Sequence, residues 1–63
     1  MDDRFNMAMR KYLKQVGVTS QSAIEEAMAG AEAGRAYAIR TVVTIEGLGM
    51  EHVVEGRLEA PSE

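Results

Sequence analysis

The spacing of the apolar residues changes near Gly34, and this change divides the chain into a helical part and a β part. Before Gly34 the apolar residues recur every three or four positions, which is typical of amphipathic helices. After it they alternate with polar residues, and β-branched residues become frequent, as in strands. Because 63 residues leave room for one small core, we predict a single α+β domain spanning residues 1–63.

Two helices are predicted before this change of period. The first covers about residues 3–16, and its apolar side chains fall within one stripe: Phe5, Met9, Tyr12, Leu13 and Val16. Gly17 followed by Val18 indicates a left-handed C-cap with its hydrophobic contact. Thr19 or Ser20 is placed to cap a second helix over about residues 20–33, which we expect to end near Gly34.

Two strands, over about residues 36–46 and 49–59, are predicted to form an antiparallel hairpin. A two-residue type II′ turn, with Gly47 at its first central position, pairs Ile45 with Met50 and Arg40 with Glu55. The charge pair supports this register, whereas a four-residue loop would set Arg40 against Arg57. Residues 60–63 are expected to be a frayed tail. The predicted order is α-α-β-β, with both helices packed on one face of the hairpin.

Part of the chain resembles a known family. Residues 5–7, residues 10–21 (RKYLKQVGVTSQ) and residues 47–56 (GLGMEHVVEG) carry the likeness. The family consists of short, uncharacterised bacterial proteins that share a domain of unknown function. The resemblance implies a bacterial origin and brings no assigned activity with it.

A basic surface on the first helix is the best candidate for binding a partner. Its residues lie opposite the apolar stripe: Arg4, Met7, Arg10, Lys11 and Lys14. A solvated helix face gives the same pattern, so the exposed Met7 is the residue that solvation leaves unexplained. The segment up to Val18 has a net charge of +2, although the whole chain has −3. An acidic protein partner would suit this surface.

Residues 10–30 also resemble a helix-turn-helix element, for which the hairpin could serve as a wing. Its second helix would carry Glu25, Glu26 and Glu32, and the sequence has no Lys or Arg from Thr19 to Gly34. Since phosphate neutralisation supplies most non-specific affinity, nucleic-acid binding is the alternative function and not the preferred one.

The sequence offers no catalytic, metal-binding or cofactor-binding set. His52, the one histidine of the sequence, is expected on the apolar face opposite Val43, away from Glu51 on the other face. The Gly47-Leu48-Gly49 loop is followed by a strand instead of the helix that a phosphate loop needs, so it indicates a turn. We predict no enzyme activity and no small-molecule substrate.

The absence of Cys and the shortness of the chain predict a homodimer. A chain below about 70–80 residues needs a stabilising element besides its core, such as a disulfide, a metal or a second chain. A two-stranded sheet has only marginal stability alone. We expect a second copy to supply this element. The two copies would join by pairing of strand edges or by stacking of apolar faces, with Val42 and Val53 as candidate dimer contacts. With no cysteine, signal-like start or membrane span, the chain is predicted to be a cytoplasmic, non-enzymatic interaction or accessory protein.

Overall fold

A computed structural model describes residues 2–62, with one α-helix followed by an antiparallel hairpin. The helix α1 spans Asp3–Ala29, the strand β1 spans Ala36–Ile45 and the strand β2 spans Met50–Glu59. The chain divides into two compact units, Met1–Gly30 and Ala31–Glu63. The α+β class is therefore confirmed, whereas the predicted α-α-β-β order is wrong, because the order is α-β-β.

The second helix is missing because α1 runs through the predicted break at Gly17. Gly17 does not have the positive φ of a left-handed C-cap, and a helical glycine costs only about 1 kcal/mol relative to alanine. The hydroxyl of Thr19 donates to the carbonyl of Gln15, 2.8 Å away, so it bonds back into the helix instead of capping a new one.

The helix ends at Ala29, four residues before the predicted end at 33. Gly30 is the C-cap residue, and its N–H is directed at the carbonyls of Ala27 and Met28. The N–H of Glu32, which a continuing helix would bond to the carbonyl of Met28, instead donates to the Tyr37 hydroxyl at 3.0 Å. The segment between α1 and β1 also contains Gly34 at φ +77°.

The register of the hairpin is confirmed, but the turn differs from the prediction. The pairs Ile45–Met50, Val43–His52 and Arg40–Glu55 all form. The connection nevertheless has four residues, 46–49, and Arg40 still lies opposite Glu55, so the expectation that a four-residue loop would set Arg40 against Arg57 is wrong. Within this connection the N–H of Leu48 donates to the carbonyl of Ile45 at 3.4 Å. This places Gly47, at φ +86°, third in the turn, where a type II turn requires positive φ, and not second as in type II′.

The segment after β2 is not frayed at its first residue. Ala60 is 2% exposed, and it is the buried residue among residues 2–62. Its N–H donates to the carbonyl of Arg35 at 2.9 Å, and its carbonyl accepts from the N–H of Gly34 at 3.2 Å. Pro61 and Ser62 are exposed, and Glu63 lies outside the described residues.

Candidate interaction surfaces

The apolar face of α1 is a continuous stripe along the whole helix. It comprises Phe5, Met9, Tyr12, Leu13, Val16, Ser20, Ala23, Ile24 and Ala27, spaced three or four residues apart. No residue of α1 is buried, and Tyr12 remains 61% exposed. Most of the stability of a protein helix comes from packing such a face. Within the unit that contains α1, the stripe is therefore an apolar surface without cover.

The size of the side chains changes along this apolar face. The part before Gly17 has large residues, such as Phe5, Met9 and Tyr12. The part after Gly17 is mostly small, with Ser20, Ala23 and Ala27. One half of the face is thus raised and the other half is recessed.

The basic residues lie on the opposite side of α1, as the sequence predicted. Arg4, Met7, Arg10, Lys11 and Lys14 are all exposed, and Met7 is 70% exposed. Met7 and Met9 are separated by about 200° around the helix axis. The basic surface and the apolar face can thus contact different molecules at the same time.

Charge is also divided along the length of α1. Residues 3–14 contain four cations and Asp3, which gives +3, whereas residues 15–29 contain Glu25 and Glu26 alone, which gives −2. The last turn of the helix has no basic residue. This order opposes the helix dipole, which favours anions at the N-terminus and cations at the C-terminus. Asp2 partly compensates, because its carboxylate accepts from the N–H of Arg4 at 2.7 Å.

The helix-turn-helix interpretation of residues 10–30 does not fit this geometry. A helix-turn-helix element needs a turn that sets its second helix at an angle to the first. In the structure α1 continues to Ala29 without a turn, so the element is not formed.

One face of the hairpin, here called the valine face, carries the residues predicted as dimer contacts. Val42 and Val53 lie directly opposite each other and are 43% and 38% exposed. The next pair on this face is Arg40 and Glu55, whose side chains form an exposed ion pair at 3.7 Å. An exposed pair of this kind contributes about 0–1 kcal/mol, so it supports the register more than the stability.

The other face of the hairpin is mainly apolar and includes His52. His52 is exposed and lies opposite the half-buried Val43. The valine side chain offers no hydrogen bond, and Glu51 is on the opposite face of the sheet. The residues that face His52 across the strands therefore do not form an acid–base pair with it.

The glycines of the hairpin have separate roles. Gly47 and Gly49 have φ values of +86° and +63°, so this loop consists of turn positions that favour glycine. Gly56 lies opposite Ile39 on the apolar face, whereas a shallow depression of about 410 Å³ lies on the other face, between the side chains of Ala38, Arg40, Glu55 and Arg57. A Cβ added at Gly56 would lie 3.6 Å from Ile39, on the apolar face and away from this depression.

A cluster around Tyr37 was not found by sequence reasoning. The Arg35 guanidinium lies 5.1 Å from the centre of the Tyr37 ring, and the same guanidinium is 3.4 Å from the Glu32 carboxylate. The hydroxyl of Tyr37 also accepts the N–H of Glu32. The alternation of β1 placed Tyr37 on the apolar face, but the sequence gives no sign that its hydroxyl reaches back five residues.

Comparison with known proteins identifies a family without an activity. The model of DUF6494, described as a family of unknown function, matches residues 1–61. No curated protein and no solved structure matches the chain. Within residues 2–62, α1 lacks the length of apolar sequence that a membrane-crossing helix requires.

Proposed function

The chain belongs to DUF6494, a family of unknown function, and we propose that it acts as a non-enzymatic interaction protein that assembles as a homodimer. The observation that carries the proposal is the exposure of the apolar face of α1. Phe5, Met9 and Leu13 are each between 44% and 51% exposed. A contiguous apolar patch of this kind on a small protein marks an interaction site.

A second copy is the partner that this face fits best. The same apolar face on both copies is self-complementary under two-fold symmetry, which is the commonest arrangement of homo-oligomers. Pairing would remove the large side chains from water and would supply the tertiary cover that α1 needs. The valine face of the hairpin, with Val42 and Val53, is a smaller candidate contact.

Dimerisation through the apolar face leaves the basic surface of α1 pointing outward. Arg4, Lys11 and Lys14 are then free to bind an acidic protein, which is the accessory role that we propose for the dimer. Nucleic acid is a poorer partner, because residues 15–29 add two carboxylates and no cation to the same helix.

The proposal is tested by two variants, each of which replaces one methionine of α1 by glutamate. Met9→Glu places a charge in the apolar face, whereas Met7→Glu makes the same change on the opposite side, where Met7 is 70% exposed. Sedimentation velocity and light scattering at about 1–100 µM would give the oligomeric state of each variant. Circular dichroism would verify that both retain α1.

We expect the wild type and Met7→Glu to be dimers and Met9→Glu to be largely monomeric. Each buried methionine contributes about 1.5–3 kcal/mol, and a symmetric dimer contains two, so the Kd should rise at least about 100-fold. A wild-type monomer over this concentration range would overturn the proposal. Equal dimerisation of the two variants would show that the apolar face is not the interface.

A further inference from the structure

We infer that the two copies pair through α1 in antiparallel orientation, with Met9 of one copy facing Ala23 of the other. This inference rests on the homodimer proposed above and adds the orientation of its helices. Two properties of α1 point to it independently: the charge of its two halves and the size of the side chains on its apolar face.

The charge of α1 favours antiparallel over parallel pairing. Residues 3–14 have a net charge of +3 and residues 15–29 have −2. Most of these charges lie on the side of α1 away from the contact, so they act across the pair at low ionic strength, where the Debye length is about 30 Å at 0.01 M, and are largely screened at physiological salt. A parallel pair would set the two basic halves side by side. An antiparallel pair places each basic half beside an acidic half, and it also opposes the two helix dipoles.

The side chains of the apolar face show the same preference. When two helices Asp3–Ala29 overlap fully in antiparallel orientation, the two-fold axis passes beside the central residue, Val16. Residues whose numbers add up to 32 are then opposite each other. Large residues therefore meet small ones: Phe5 faces Ala27, Met9 faces Ala23 and Tyr12 faces Ser20.

Parallel pairing would instead set each residue against itself. Phe5 and Met9 would then meet their own copies at one end, while Ala23 and Ala27 would meet alanine at the other. The helices would be held apart at the first end and would leave voids at the second, although helix interfaces are close-packed. Antiparallel pairing keeps the two axes at a more even distance.

The relative orientation of the two α1 helices can be determined from disulfide formation between introduced cysteines. The natural sequence has no cysteine that would compete with them. The probes are the full-length single variants Met9→Cys and Ala23→Cys, mixed and oxidised under mild conditions. A disulfide requires Cα atoms within about 7 Å of each other. Positions 9 and 23 lie about 21 Å apart along one helix. An antiparallel pair therefore brings position 9 of one copy near position 23 of the other, whereas a parallel pair brings each position near its own copy.

We expect the mixture to give at least about tenfold more mixed disulfide than either homodisulfide, measured by intact-protein mass spectrometry. Tyr12→Cys mixed with Ser20→Cys gives a second pair, should Met9→Cys perturb the helix. Met9→Cys mixed with Val16→Cys is the matched control, because their offset of about 10 Å prevents a bridge in either orientation.

Efficient homodisulfides in Met9→Cys alone and in Ala23→Cys alone would establish a parallel pair and overturn the inference. A dimer that forms no disulfide at either mixed pair would overturn it as well. Both results would leave the homodimer itself standing. A wild-type monomer in sedimentation, by contrast, would overturn the proposed function on which the inference rests.

Discussion

Replacing Gly17 by alanine tests whether residues 3–29 form one helix or two. In the structure Gly17 lies inside α1 without positive φ, and a Cβ built on it meets no atom within 4 Å. Alanine should therefore stabilise the helix by about 0.8–1 kcal/mol, which is the difference in helix propensity. If Gly17 were instead a left-handed C-cap, the same change would destabilise it by about 1–2 kcal/mol.

The sign of the effect thus distinguishes the two structures. Thermal unfolding followed by the helical circular dichroism signal, at one fixed protein concentration, is the assay. We expect the Tm of Gly17→Ala to rise by about 4–8 °C, the shift that 1 kcal/mol produces in a small domain. A lower Tm, with the helical circular dichroism signal retained, would refute the continuous helix.

Thr19→Ala is a companion test of the same reasoning. Because the Thr19 hydroxyl bonds back to the carbonyl of Gln15, its removal should leave stability unchanged or raise it by up to about 0.7 kcal/mol. A cap residue would behave differently, because its loss costs about 1 kcal/mol. A clear drop in Tm for Thr19→Ala would therefore contradict the structure.

Three further predictions concern the hairpin unit. Tyr37→Phe removes the acceptor of the Glu32 N–H, so we expect a loss of about 0.5–1.5 kcal/mol and faster amide exchange at Glu32; unchanged exchange would contradict the bond. Gly56→Ala should raise the stability of the hairpin by about 0.5–1 kcal/mol, because the new Cβ lies 3.6 Å from Ile39. Gly47→Ala, at φ +86°, should lower it by about 1–2 kcal/mol, and chemical denaturation giving the reverse order would refute this assignment.

The hairpin could be predicted from the sequence because several local signals agree. Alternating apolar residues gave the strands, and the pairing of Arg40 with Glu55 selected the register that the structure contains. The turn was less certain, because Gly47 and Gly49 both tolerate positive φ and a turn type depends on which position each glycine takes. The candidate contacts Val42 and Val53 lie where the register places them, and their role in a dimer stays a prediction.

The helical part was harder to predict because a glycine followed by Val-Thr has two interpretations. It can end one helix and begin another, or it can weaken a single helix without breaking it. Which of the two forms depends on the helix-propensity cost of Gly17, about 1 kcal/mol, and on the acceptor that the Thr19 hydroxyl chooses. A pattern of apolar residues shows neither. The apolar face itself was predicted in two parts, and its continuity past Gly17 emerges from the structure.

The backbone bonds of Ala60 change how the hairpin can open. A hairpin usually frays from its strand ends, because its turn holds the other end. Here Ala60 bonds to Arg35 and Gly34, so the hydrogen-bonded ladder continues by one pair beyond the strand ends, in the same register. Fraying should therefore begin beyond Ala60, and the amides of Gly34 and Ala60 should exchange more slowly than those of an unpaired strand end.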